Sequence, residues 1–563
     1  MNYKKDICVF FGIYAFMAFI AIVFLIFPDF DWLNYRMYNC WAFLTDRMSV
    51  DFLAGNFRTC FNPIIDLPEY LLLWKLNNHP YLYNIICLFD SVCLLFLVYK
   101  FSCLLFNCRG FYSKSFPVAY IAVSPVMMLQ MSFDQNDIKI ALLLFIAFYI
   151  FIKNIFLPFA KKRNFLIFLA GIIVGIAMGL KLTAFVFLLS FLLITLFLFK
   201  KIDKPFLTVG IFCLGVIPAF LAIDGYWLYK CYKVYHNPFF PYFNDIFKSE
   251  YAAFDRLLNQ DYRHLAPINW QEFVFYPFFQ CVGTRLYGTD NFSWDVRYAV
   301  NFVVVVILSV GLFAAKSNTA LKNYMQKIVN LDYLLFMLLF SIVPFYVNLV
   351  FFGTYRYIIA ASSLYGIILF VFILLLCEKC SNPKKFTAIL SILFIVYSYT
   401  SSRIGDVEYI KKFEENKDSV YKQVLTLPDL HFEDNSVVIL VNALTSVAVV
   451  NQNPNVKYIG YSLPQETIEK ERKVLEIVDP CYETKNLRSD YLQKMLADEI
   501  NSDKKLYILY VTSNEFRIAN ESLFMLDKNY KRELENCAYT GMKIYNSVFW
   551  GTDIWKCEYN IVR

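Results

Sequence analysis

Only 18% of the 563 residues are charged. The ionisable side chains in or beside long apolar runs are therefore the ones to ask chemistry of, because a bilayer makes such groups costly. Asp31, Asp137, Lys181, Asp224 and Arg356 stand at ends of apolar runs, and Asp90 alone falls near the middle of one. A proton- or ion-coupled transporter more often sets several carboxylates near the midplane, on helices broken by glycine or proline. That pattern is largely missing, and the charges gather at one membrane surface. Each also has a plainer reading, in which Asp31 is a solvated loop residue, Asp137 a helix N-terminal cap, and Lys181 and Arg356 cations that snorkel to the headgroups.

Other chemistry is less well supported. His79, His236, His264 and His431 are isolated from one another and indicate neither a metal cluster nor a nucleophile triad. Among the 15 cysteines no CxxC pair is followed by a second at zinc-ligand spacing, and Cys377 and Cys380 sit at a helix end beside Lys379. Cys40, Cys60, Cys231, Cys281, Cys481, Cys537 and Cys557 fall on the side read below as outer, where an oxidising compartment permits disulfides. Cys537 with Cys557 is the favoured pair. Gly171, Gly175 and Gly179 recur every four residues, which suits close helix contact better than a nucleotide loop.

The elements that must position these residues are membrane helices. With 58% hydrophobic and 19% aromatic residues, the chain is a poor match to a soluble globular protein. Its net charge of +7 is spread over short clusters between apolar runs, which excludes a nucleic-acid partner. The segment from Met1 to Phe27 opens with Lys4 and Lys5 and reads as a retained first helix. Further runs near 82–106, 116–131, 137–158, 164–180, 182–199, 205–224, 299–315, 332–351, 355–377 and 386–401 bring the expectation to about eleven transmembrane helices. With the amino terminus inside, the short inner loops collect Lys100, Arg109, Lys114, Lys153, Lys161, Lys162, Arg163, Lys200, Lys201, Lys204, Lys316, Lys322, Lys327, Lys379, Lys384 and Lys385. Loops 28–81 and 225–298 and the segment from 402 onward then lie outside.

Those loops are rich in aromatics, as in Asn34 to Leu44 (NYRMYNCWAFL) and Tyr226 to Tyr235 (YWLYKCYKVY). Such amphipathic stretches are expected to lie in the membrane interface. The carboxyl-terminal segment alternates strand-like stretches at 436–441, 456–462 and 505–512 with helical ones near 464–478 and 484–501. The expected fold is a polytopic α-helical membrane protein with interfacial helices in two long outer loops and a small extracytoplasmic α/β domain. Residues 1–401 form its transmembrane domain and residues 402–563 the α/β domain.

An ordered set of short motifs then suggests a family. Asp29, Phe30 and Asp31 are followed by Asn34 and Tyr35, then by Gln135, Asn136 and Asp137 at the opening of the fourth helix, then by Gly175 to Thr183 (GIAMGLKLT). With Tyr38 and Asn39, Phe61 to Pro63, Asn237 to Pro241 (NPFFP) and Tyr355 to Tyr357, this order resembles a bacterial branch of the GT-C superfamily of membrane glycosyltransferases over roughly residues 8 to 400 in layout. The resemblance implies transfer of a sugar from a polyprenyl-phosphate carrier to an envelope glycan, lipid or protein on the extracytoplasmic face of the bacterial inner membrane. It implies Asp31 as general base, with Asp29 as rival. Asp137 is the second acid, which positions Asp31, binds acceptor or shares a divalent cation. Lys181 and Arg356 fit the carrier phosphate; Asn136, Tyr35 and Asn62 join the substrate site. A transporter or flippase of a lipid-linked sugar, or an envelope scaffold, needs no such outer aspartates.

Overall fold

The computed structural model describes residues 3–24, 31–76, 79–106, 111–132, 136–251, 267, 269–279, 294–402, 429–441, 443–461, 498–499, 502, 504–511, 531–544 and 552–562. Asp29 and most of the helical stretches expected at 464–478 and 484–501 lie outside the described residues. The chain divides into two compact units. The first comprises residues 1–26, 84–225 and 262–407, and the second residues 27–83, 226–261 and 408–563.

The first unit is helical. Among the described residues, 7 helices of the chain are long and apolar enough to cross a membrane, or 8 if Tyr355–Ser362 and Tyr365–Cys377, bent by 46°, count as one span. The protein is thus a multi-pass membrane protein. Helices also occupy the remaining apolar runs, but Phe185–Phe197 is short and the run at 116–131 divides into Phe111–Ala122 and Pro125–Ser132. Pro125 cannot donate a backbone hydrogen bond and biases Ser124 away from helix, which explains that break. The core is aromatic: Phe148 and Phe340 lie 4.5 Å apart, and Phe151, Phe191, Phe212 and Phe336 pack around them.

The Lys161–Leu180 helix presses its glycine stripe on the Pro205–Tyr235 helix. A Cβ on Gly171 would lie 2.2 Å from the Phe212 carbonyl oxygen, and one on Gly175 would lie 2.3 Å from that of Val216. No larger residue allows this approach, as the four-residue spacing suggested. In the 225–298 loop, the Trp270–Phe279 helix buries Glu272 and Tyr276 while exposing Trp270 and Phe275, the kind of face an interfacial helix shows.

The second unit is built on a five-stranded sheet of β1 (Val437–Val441), β2 (Lys457–Tyr461), β3 (Leu506–Tyr510), β4 (Lys531–Ile544) and β5 (Thr552–Val562), in the order β2-β1-β3-β5-β4. The first three strands are parallel, whereas β5 runs antiparallel to β3 and to β4. The strands expected at 436–441, 456–462 and 505–512 are β1 to β3. β4 and β5 are joined by the Cys537–Cys557 disulfide, the pair favoured from sequence.

On one face Val437, Ile439 and Val441 of β1, Ile459 of β2 and Ile508 of β3 form a core with Phe52, Leu53 and Cys60 of the 28–81 loop and Tyr235 and Phe240 at the start of the 225–298 loop. This corrects one expectation. Asn34 to Leu44 does not offer its aromatic side chains to an interface, since Tyr35, Met37, Tyr38, Cys40 and Trp41 are buried within this unit. Sheet and loop each have an apolar face to cover, and they cover each other.

Candidate active site

In the first unit three helix ends bring four of the candidate residues together. Asn136 precedes the Asp137–Ile155 helix, and its side chain makes no capping bond. Lys181 ends the Lys161–Leu180 helix in an extended conformation, its N–H donating to Ala177 O at 3.0 Å. Arg356 lies on the Tyr355–Ile358 turn, where Gly353, at φ 72°, ends the preceding helix and donates to Asn348 O at 2.8 Å. The backbone thus turns at each of the three places, and each turn projects one charged side chain.

Lys181 Nζ donates to Asp137 Oδ1 at 2.5 Å and to Asn136 Oδ1 at 2.9 Å. Arg356 Nε lies 3.6 Å from Asp137 Oδ2. The Tyr357 ring sits beside both cations, 5.1 Å from Lys181 and 5.6 Å from Arg356. The Asp137 side chain is only 3% exposed, against 21% for Lys181 and 15% for Arg356. The carboxylate is therefore the buried anchor, and the two cations keep an open side. Two positive charges on one negative leave the cluster net positive, with the N-terminal end of the Asp137–Ile155 helix dipole behind it. Such an arrangement holds an anion by charge and directed donors. Neither the N-cap reading of Asp137 nor independent snorkelling of Lys181 and Arg356 describes these contacts.

In the second unit Asp31 stands at the head of the Trp32–Arg36 π-helical turn, and its Oδ1 accepts from Arg58 Nη1 at 3.4 Å. The Asp31 side chain is 16% exposed and that of Arg58 36%. Arg58 lies 5.7 Å over the Tyr35 ring, which meets Phe61 edge-on at 5.8 Å. Burial, reinforced by the Asp31 charge, pushes the Tyr35 hydroxyl well above the usual tyrosine range, so it keeps its proton. Asn62 takes a local role, its Oδ1 accepting from Ile64 N at 3.1 Å at the start of the Pro63–Ile65 turn. A second pair, Arg36 with Asp66 at 3.8 Å, is buried just beyond Asp31.

Sequence reasoning singled out Asp31 and missed Arg58, which lies on a short 3-10 turn with no periodic signal. It also quoted Tyr357 without giving it a role. Among the described residues no group of three His, Cys, Asp or Glu side chains could hold a metal ion.

No family model matches the chain, and no curated protein matches it either. Among solved structures it is similar to ArnT from Cupriavidus metallidurans in the apo state, at 11% identity over 99% of this chain and 98% of that one, with a TM-score of 0.46. The same protein bound to undecaprenyl phosphate gives 10% identity, 98% and 97% coverage and a TM-score of 0.43. The archaeal oligosaccharyltransferase AglB from Archaeoglobus fulgidus, in complex with an inhibitory peptide and a dolichol-phosphate, gives 14% identity over 100% of this chain and 75% of that one, with a TM-score of 0.46. Likeness at this level leaves function to be argued from the side chains.

Proposed function

We propose that the chain is a membrane glycosyltransferase that moves a sugar from a polyprenyl-phosphate carrier to a hydroxyl of an envelope glycan, lipid or protein. The observation that carries this reading is the Asp137–Lys181–Arg356 cluster, in which one buried carboxylate holds two partly exposed cations at the ends of apolar helices. A carrier phosphate sits at headgroup depth, needs charge neutralisation as it leaves, and is recognised by a guanidinium fork. Asp137 is then a positioning residue for the two cations. Asn136 shares Lys181, and Tyr357 supports both cations from the side.

Asp31 is the general base of this reading, with Arg58 as its partner. As the acceptor oxygen bonds to the anomeric carbon, the bond from that carbon to the phosphate oxygen breaks. The acceptor proton passes to Asp31, and the electron pair leaves with polyprenyl phosphate. The lysine bias of the short loops favours transfer on the extracytoplasmic side. The reaction as written needs no cofactor, and a divalent cation at the phosphate stays compatible with it.

The direct test is binding of undecaprenyl phosphate to the full chain in nanodiscs. Lys181→Gln and Arg356→Gln should each weaken it by about tenfold to a hundredfold, the worth of a charge-assisted hydrogen bond. Wild-type affinity in both variants would return the two cations to a snorkelling role and remove the donor assignment.

A further inference from the structure

We propose that the carboxyl-terminal sheet is a positioning part of the active site: through a buried Arg47–Asp51 pair it holds the first outer loop, and with it Asp31, on the edge of strand β2. The proposal rests on the reading of Asp31 as the base.

Arg47 and Asp51 are both buried. Arg47 Nε donates to Asp51 Oδ2 at 2.6 Å, and Nη2 donates to Asp51 Oδ1 at 2.6 Å. The same guanidinium reaches the residues before β2, donating to Pro454 O at 2.8 Å and to Val456 O. It lies between two rings, 5.0 Å from Trp41 and 4.9 Å from Tyr458. Asp51 also accepts from the Tyr38 hydroxyl at 2.5 Å and from the Tyr458 N–H at 2.9 Å. A buried ion pair is stabilising only when its remaining hydrogen-bonding capacity is met, and an apolar pair of the same volume serves stability as well. What this pair adds is direction: its bonds join a loop residue to backbone groups more than 400 positions away and admit one register.

The loop then joins the sheet. Phe52 N donates to Tyr458 O at 2.8 Å, and Gly460 N donates to Phe52 O at 2.8 Å, so Phe52 extends the sheet beyond β2 in parallel. A Cβ on Gly460 would stand 1.9 Å from Leu53 O, so glycine is the residue that lets the loop close on the strand. Upstream, the Trp32–Arg36 turn packs against Ala443–Val449, the segment that follows β1 at its carboxyl end. Parallel strands in the order β2-β1-β3 place their functional crevice at the carboxyl ends. Asp31 heads the turn that occupies this place, and π-helical turns recur at functional sites.

The test uses the full chain in nanodiscs with two variants that act by different means, Arg47→Gln at the pair and Gly460→Ala at the strand. Hydrogen exchange reads the docking, undecaprenyl phosphate reads the donor site, and formation in cells of the envelope product lost on gene deletion reads the chemistry. Both variants should raise exchange in peptides covering 31–62 and lower product formation by about a hundredfold, as displacement of a reacting group by about 1 Å does. Undecaprenyl phosphate affinity should stay at the wild-type level, a split that general unfolding does not produce. Unchanged exchange in both variants overturns the proposal alone. Raised exchange with unchanged product formation also overturns it, provided Asp31→Asn abolishes product formation. Full product formation by Asp31→Asn overturns the underlying reading of Asp31 instead.

Discussion

At the scale of single residues, the two clusters ask different things of their carboxylates. Asp137 has both oxygens turned to cations and almost no exposure, so it is spent on holding Lys181 and Arg356. Its replacement by asparagine leaves two partly exposed cations facing a neutral amide. The expected loss is about 1–3 kcal/mol, below the figure for a fully buried pair because the cations keep contact with solvent. Thermal unfolding in detergent checks it, and an unchanged midpoint would show that the pair contributes nothing.

Asp31, by contrast, meets Arg58 at 3.4 Å and keeps an open side. Asp31→Asn should lower turnover by roughly a hundredfold or more while sparing expression and donor binding. Asp29→Asn is the companion variant, and if it alone loses turnover the base moves by two residues. Asp31, Asp137, Lys181 and Arg356 were legible one at a time, from charge at the ends of apolar runs. Their grouping of three around Asp137 was not, because positions 137, 181 and 356 lie on separate helices and no periodicity links them. Asn62 drew attention through its place in a motif, and its Oδ1 accepts from Ile64 N in the local turn, a contact the motif did not indicate.

At the scale of elements, the regular features were legible and the interruptions were not. The glycine stripe at 171, 175 and 179 reads directly as a packing face, and the backbone oxygens of Phe212 and Val216 occupy the space that side chains would need. Gly175→Ala should therefore lower the thermal midpoint in detergent, with an overpacking cost of about 1–3 kcal/mol. Gly210→Ala, where nothing stands within 4 Å, should not. Equal midpoints for the two would refute the close contact. The strands β1 to β3 were also plain as short apolar runs rich in β-branched and aromatic residues. The break before Pro125 is set by local backbone chemistry inside an otherwise apolar run, and the 46° bend at 355–377 is likewise averaged away by hydropathy. Together with the short Phe185–Phe197 helix and the Pro383–Thr400 helix, which is not among the apolar spans, these interruptions turn about eleven runs into 7 or 8 full-length spans among the described residues.

At the scale of the whole molecule, the loop at 27–83, the stretch 226–261 and the terminal sheet belong to one compact unit, a grouping that sequence order hides because the partners are hundreds of residues apart. Composition and lysine bias speak to sidedness: reporter fusions after residues 60, 260 and 450 should report outside, and fusions after 110, 160 and 325 inside. A cytoplasmic signal at 450 would overturn the orientation and the oxidised state of Cys537 and Cys557 with it. The central claim is the transfer of a sugar from a polyprenyl phosphate. Mass spectrometry of envelope glycolipids and glycans from cells with the gene, without it, and with Asp31→Asn in its place tests that claim most directly. Deletion should remove one hexose or pentose from a single product, the wild-type gene should restore it, and Asp31→Asn should not. Identical spectra with and without the gene would contradict the claim.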